Sequence, residues 1–307
     1  MRTENQTPGQ AAAGPGRRAL DPDALRAAVV RPGGLWRELA VTGVTGSTNA
    51  DLLARAAEDA PEGIVLAAEE QRAGRGRMGR TWVSPPRAAL MFSVLLRPGT
   101  VPPTRLGWLP LLTGVAVTTA VRAVTTVDAQ LKWPNDVLVG DAKLGGILAE
   151  ASGGAVVVGI GLNVSTEPDE LPPASPAPAS PGPGQAGPGN AGPGNAGPGQ
   201  AGPLAATSLR AAGWASPDRD LLLTAVLGEL EHWYLAWRHA GGDPERCGLA
   251  EEYTRLCATL GRQVRVELPG GHVVRGLAAG IDPVGRLLVR VPDGELPVAA
   301  GDVVHVR

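Results

Sequence analysis

The chain has 307 residues, 43% hydrophobic and only 3% aromatic, with 28 basic against 30 acidic side chains and a formal net charge of −2. That length can bury a proper core and sets about two domains as the expectation, while the balanced charge offers no basic field for nucleic acid. The apolar runs break at Gly, Pro or Arg well short of the ~20 residues of a membrane span, and the N-terminal "MRTENQTPGQAAAGPGRR" lacks the apolar core of a secretion signal. A cytoplasmic protein with no membrane or nucleic-acid partner is expected.

Residues 1–40 are rich in Ala, Gly, Pro and Arg and read as loosely ordered, with at most one short helix around "DPDALRAAVV". From residue 41 strand and helix patterns alternate: a helix over 49–59, a strand "GIVLAAEEQ", an Arg/Gly loop, a strand "ALMFSVLL", and a long helix over 105–124. Three strand-like runs follow, "AQLKW", "KLGGILAEA" and "AVVVGIGLNV". This mixture predicts an α+β fold, a mixed sheet flanked by helices.

Residues 166–203 break the pattern with "PGPGQAGPGNAGPGNAGPGQAGP", which has no apolar side chain larger than Ala. Burial there cannot offset the entropy of ordering, so a flexible insertion is predicted. Order resumes with "SPDRDLLLTAVLGELEHWYLAWRHAGG", a helix that Ser216 would cap and Gly241 would stop, and a further helix is expected over 244–260. Beyond it, short Val/Leu strands separated by "PGG", "DPVG" and "PDGE" predict a small β-barrel. The expected organisation is a loose segment over 1–40, a main domain over 41–258 that contains the insertion, and a barrel over 259–307.

Cys247 and Cys257 stand ten apart without a CxxC motif, and are expected to be buried or half-exposed thiols on a helix. His232 and His239 fall on one predicted helix, His272 and His305 in the last strands; no metal site is expected from them.

"EEQRAGRGRMGR" contains GxGxxG at Gly74, Gly76 and Gly79, but "TWVSPP" follows and leaves no room for the helix a dinucleotide fingerprint requires. What remains is a glycine loop carrying Arg75, Arg77 and Arg80, able to bring backbone and guanidinium groups close to an anion; a merely solvated loop stays open. "GSTNADLL" sets Ser47, Thr48 and Asn49 at a helix start, with Asp51 in capping-box spacing to Thr48. Among the 28 basic residues only two are lysine, Lys132 and Lys143, both within "QLKWPNDVLVGDAKLGG". Lys132 ends a strand before Trp133-Pro134, and a hairpin turning at Gly140-Asp141 would pair Leu138 with Lys143 and set Asp136 diagonally beside that lysine.

The ordered set "GSTN", "QRAGRGRMGR", "KWPNDV", "KLGGIL" and "GIGLNV" resembles the biotin–protein ligases, of the type without a DNA-binding domain. The resemblance implies a catalytic domain like that of class II aminoacyl-tRNA synthetases and a C-terminal SH3-like barrel. It also implies two reactions: biotin and ATP, with Mg²⁺, form biotinyl-AMP, and a lysine of a biotin carboxyl carrier domain of an acyl-CoA carboxylase then displaces AMP. Ser47, Thr48, Asn49, Gln71, Gly74, Arg75 and Gly146 are implied at the biotin, and Arg77, Met78, Arg80, Trp82, Lys143 and Asn163 at the adenylate. Lys143, Asp136, Arg77 and Lys132 are implied in catalysis, with Asp136 orienting the incoming amine or taking its proton.

Met78 departs from the family, which usually has a basic residue there, and the Gly/Pro insertion is a second departure. The N-terminal composition argues against a DNA-binding repressor. A lipoate or octanoate ligase of related fold and a non-catalytic biotin sensor are the alternatives, and the pairing of two copies as a homodimer is left open.

Overall fold

The computed structural model describes residues 16–171, 204–269 and 271–306. Its N-terminal part corrects the expectation of a loose segment. Helix α1 (Pro22–Val29) is capped by Asp21, whose carboxylate accepts the N–H groups of Asp23 and Ala24, and it buries Leu25 and Val29. Trp36 is only 1% exposed. Five large side chains, Leu20, Leu25, Val29, Leu35 and Trp36, join the main core from this stretch, and burying such side chains outweighs a low-complexity composition. Residues 1–15 lie outside the described residues.

The first half builds a seven-stranded mixed sheet. Strands β1 (Glu38–Thr42) and β2 (Ile64–Ala68) are parallel because helix α2 (Thr48–Ala57) crosses between them. The other strands are antiparallel to their neighbours: β3 (Ala89–Leu96), β4 (Ala129–Lys132), β5 (Asp136–Val139), β6 (Ala142–Ser152) and β7 (Ala155–Asn163), in the spatial order β1-β2-β3-β7-β6-β5-β4. Every residue of β3 is buried, since both faces of the sheet are covered. Helix α2 packs on one face with Leu52, Ala56, Ile64, Leu95 and Val157. Helix α3 (Trp108–Val124), apolar nearly all round, lies on the other face between the sheet and helix α4 (Arg219–His239).

α4 starts later than expected: Asp218, not Ser216, is its cap and accepts the N–H groups of Asp220 and Leu221. At its first turn the buried Arg219 pairs with Glu69 at 2.7 Å and donates to the Arg18 carbonyl at 2.7 Å, while Glu69 accepts the Leu20 N–H. The N-terminal segment is thereby tied to the end of β2. Trp36 adds an indole N–H bond to the Leu227 carbonyl of α4 at 3.0 Å.

The helix expected over 244–260 is only α5 (Leu249–Leu256), because Gly248 is left-handed (φ 76°) immediately before it and Cys257 is extended after it. Cys247 and Cys257 are free thiols flanking α5 rather than lying on it. Ala258 donates to the Leu131 carbonyl and covers the outer edge of β4.

Strands β8 (Gln263–Glu267), β9 (Val273–Ile281), β10 (Leu287–Val291), β11 (Gly294–Val298) and β12 (Asp302–His305) form a five-stranded antiparallel sheet in the order β11-β10-β9-β8-β12, the expected SH3-like unit. His272 just precedes β9 and is not in a strand. This sheet shares the main core: Val264, Val266, Ala278 and Leu287 belong to the same buried cluster as α3. Trp108 and Trp133 donate their indole N–H groups to Asp282 and Gly285 carbonyls of the β9–β10 turn, both at 3.3 Å.

The start of the predicted insertion is part of the fold, with Thr166 buried and Glu170 ion-paired to Arg17; residues 172–203 lie outside the described residues. After it, Lys143 donates its backbone N–H to Ala205 and accepts from Thr207 at 2.7 and 2.9 Å. Among the described residues no helix is long and apolar enough to cross a membrane.

Candidate active site

The β5–β6 hairpin takes the expected register near its turn, with Val139 opposite Ala142 and Leu138 opposite Lys143. A bulge at Leu144 then shifts the pairing by one, so that Asp136 opposes Gly146. Lys143 Nζ reaches Asp136 Oδ1 at 2.6 Å, and Lys132 lies opposite Asp136 on the other side, across the β4–β5 ladder. Both lysines therefore converge on one carboxylate. Burial pushes the Lys132 ammonium pKa down; Asp136 opposes that shift and Lys143 adds to it. Gly146 lies directly beside this ion pair, a β-carbon there standing 3.4 Å from Lys143 Nζ, an ordinary contact distance.

The Arg/Gly loop forms no helix beyond a single turn at Arg77–Gly79. It folds on itself instead: Trp82 donates to the Gly74 carbonyl at 2.9 Å and Gly76 to the Arg80 carbonyl at 2.7 Å. Arg77 donates to Asn135 Oδ1 at 2.9 Å, and Asn135 is held in turn by hydrogen bonds in both directions with the Ile147 backbone. Burial lowers the Arg77 pKa, Asp136 raises it and Arg80 lowers it further. Arg80 pairs with Asp302 of β12, so the loop reaches the C-terminal sheet.

Ser47 caps α2, as one of the three polar residues at the helix start was expected to do. The capping-box pair does not form, since Asp51 accepts the Thr45 hydroxyl instead of serving Thr48. Thr48 donates its N–H to Gln71 Oε1 at 2.8 Å.

These elements enclose one pocket of about 900 Å³, counting its open mouth. It brings together Ser47, Thr48, Asn49, Gln71, Arg75, Gly146, Arg77, Arg80, Trp82, Lys132, Asp136 and Lys143. Gly74, Met78 and Asn163 do not line it. Gly74 is pressed under Trp82, whose carbonyl would stand 2.6 Å from a β-carbon there, and Met78, left-handed at φ 56°, is 61% exposed. Asn163 is buried and donates to the Thr207 carbonyl at 2.9 Å.

Sequence reasoning missed Asn135, Gly159, Gly161 and Asp302, which also line the pocket. The two glycines carried a readable signal, alternating on one face of "GIGLN"; a β-carbon at Gly161 would lie 2.8 Å from the Trp82 ring. Asp302 carried none, since only the packing of β12 brings it there. The indole N–H of Trp82 is buried in the pocket wall without a protein partner.

Among the described residues no group of three or more His, Cys, Asp or Glu could hold a metal ion, and the pocket carboxylates Asp136 and Asp302 are both engaged by cations. The arrangement offers hydrogen-bonding groups at the α2 end and converging cations at the hairpin end, suited to a ligand with a polar head and an anionic reacting group.

The defining pattern of the biotin/lipoate A/B protein ligase family matches residues 42–167, and that of the biotin protein ligase C terminal domain matches residues 259–306. Over 292 residues the chain is 43% identical to the biotin–acetyl-CoA-carboxylase ligase of Mycobacterium tuberculosis, covering 94% of this chain and 96% of that relative. This chain belongs to the biotin–protein ligase family. A second member of the family, the biotin–acetyl-CoA-carboxylase ligase of Paracoccus denitrificans, is 32% identical over 274 residues, 84% of this chain and 97% of the relative. The fold agrees with a solved family structure, the biotin protein ligase from Aquifex aeolicus in complex with biotin and ATP, at a TM-score of 0.64 and 24% identity, covering 89% of this chain and 100% of that one.

Proposed function

We infer that the chain is an ATP-dependent biotin–protein ligase that modifies a lysine of a biotin carboxyl carrier domain. The observation that carries this reading is the pocket's polarity: Ser47, Thr48 and Gln71 at one end, and Lys132, Lys143 and Arg77 around Asp136 at the other. In the first step a biotin carboxylate oxygen attacks the α-phosphorus of ATP, and pyrophosphate leaves. Both reactants are anions, so the step needs fixed cations aimed at the charge that develops. Lys143, held at the mouth of a bulged hairpin, and Arg77, anchored to Asn135, meet that need. Lys132 adds positive charge on the far side of Asp136.

In the second step the ε-amine of the carrier lysine attacks the carbonyl carbon of the mixed anhydride and AMP leaves. Asp136 stands where it can orient that amine and receive its proton once a substrate draws Lys143 away. Trp82, with its free N–H and its ring over Gly161, fits the adenylate side of the pocket. Mg²⁺ would be held by the ATP phosphates, in keeping with its preference for substrate phosphates over an all-protein cage.

Its partner on this reading is the carrier domain of an acyl-CoA carboxylase, met in the cytoplasm. An octanoyl-transferring relative would need a cysteine nucleophile at the pocket, and neither Cys247 nor Cys257 lines it. Exchange of labelled pyrophosphate into ATP tests the reading. It is expected to require biotin and not to run with lipoate; exchange with lipoate alone overturns it.

A further inference from the structure

Behind Thr48 the pocket wall contains a file of polar side chains that neither step of the reaction uses. Its far end is Glu150 on β6, whose carboxylate can only accept hydrogen bonds. Asn49 Nδ2 donates to Glu150 Oε2 at 2.8 Å and to the Leu148 carbonyl at 3.2 Å. Two acceptors on the same side fix which way the amide faces, so Asn49 Oδ1 is turned toward Ser93. Ser93 is completely buried and donates to that oxygen at 2.6 Å.

Ser93 has then used its only proton. Its 2.7 Å contact with Thr48 Oγ1 must therefore have Thr48 as donor. Gln71 Oε1, at the pocket wall and 3.2 Å from the same hydroxyl, is a longer second acceptor. Ser93, the nearer acceptor and the one outside the pocket lining, takes the Thr48 proton, so that proton points into the protein and the oxygen shows the pocket lone pairs. Gly159 makes the arrangement sterically feasible, because a β-carbon there would lie 2.1 Å from Asn49 Oδ1.

We propose that Glu150, acting through Asn49 and Ser93, fixes the Thr48 hydroxyl as an obligate acceptor and so selects a ligand ring that carries an N–H at that point, such as a cyclic urea. The identity of the ring rests on the biotin reading given above. Glu150, Asn49 and Ser93 are positioning residues in this scheme. A ring presenting an oxygen instead of the N–H meets lone pairs with lone pairs, a mismatch that sites built to bond a donor reject strongly.

The test compares biotin with the two analogues in which one or the other ring N–H is replaced by oxygen, by calorimetric binding to the full chain. The native protein is expected to prefer biotin over the worse analogue by roughly 100-fold or more. Ser93→Ala leaves only the longer Gln71 contact for the Thr48 proton, and Glu150→Leu frees the Asn49 amide; each is expected to lower that preference by about tenfold. Glu150→Gln, which retains an acceptor for Asn49, is expected to restore it. A merely structural network would change stability and leave the ratio alone.

If the ratio is unchanged in Ser93→Ala and Glu150→Leu, or if the native protein binds biotin and both analogues equally, the proposal is overturned. Should Ser93→Ala fail to fold, Glu150→Leu, at a half-buried position, decides the matter. A native protein that binds neither biotin nor analogue overturns the functional reading itself, a different outcome from an unchanged ratio.

Discussion

Lys143 is the residue whose chemistry is least replaceable by another cation. Its ammonium sits 2.6 Å from Asp136, with Gly146 packed beside it. A planar guanidinium is wider and cannot rotate its donors about a single point, so Lys143→Arg is expected to lower biotin-dependent pyrophosphate exchange by about 100-fold; exchange at the native rate counts against the assignment. Asn163 poses the opposite case. It does not touch the pocket, and its bond to Thr207 supports the segment that grips the Lys143 backbone. Asn163→Ala is expected to lower the exchange rate at saturating ATP while leaving KM for ATP within about threefold, since no nucleotide contact is removed. A large rise in KM at unchanged rate would place Asn163 at the nucleotide instead. Much of this residue-level picture was legible, because local spacing in "KWPND" and "KLGG" dictates the hairpin that brings the lysines to Asp136. The Leu144 bulge and the inward turn of Asn163 were not, since both are settled by neighbouring strands rather than by local pattern.

Among the elements, the N-terminal segment shows where composition misleads. Its Ala, Gly, Pro and Arg content suggested looseness, yet α1 and Trp36 are part of the core and Arg219–Glu69 fastens the segment to β2. Trp36→Ala is expected to destabilise the fold by about 3–5 kcal/mol, read from denaturant unfolding; an unchanged midpoint would mean that the segment is dispensable. β3, α3 and the hairpin strands were readable because long apolar or periodic runs carry their own signal. The start of α5 was not readable, for a glycine can either sit within a helix or end one, and at Gly248 the left-handed backbone decides. Asp218 displaced Ser216 as the α4 cap for a similar reason: two good caps stood two residues apart, and the anchoring of Arg219 beside Glu69 fits the later start.

At the scale of the molecule, the C-terminal sheet is a wall of the site as well as an SH3-like unit. β12 supplies Asp302 to Arg80, and His305 Nε2 meets Thr259 Oγ1 at 3.2 Å, which accepts the backbone N–H of Trp133 next to Lys132. Burial chiefly, then the nearby Lys132 and Arg262, push the His305 pKa down to about 4 against a mild pull from Asp141. Between pH ~6.5 and about 4 the unfolded chain therefore binds a proton at this position that the folded chain does not. Stability from this residue is complete above that window and is lost as pH falls through it. His305→Gln is expected to flatten the fall in melting temperature over the same range, and an equally steep fall in the variant would contradict the linkage.

On this reading the pocket joins biotin to a carrier lysine through an adenylate. Intact-mass spectrometry of a biotin carboxyl carrier domain incubated with the full chain, biotin and MgATP tests it most directly. One added biotinyl group on one lysine is expected, dependent on ATP and formed about 100-fold more slowly by the Lys143→Arg protein. No added mass with native protein, or the same modification with lipoate in place of biotin, would contradict it.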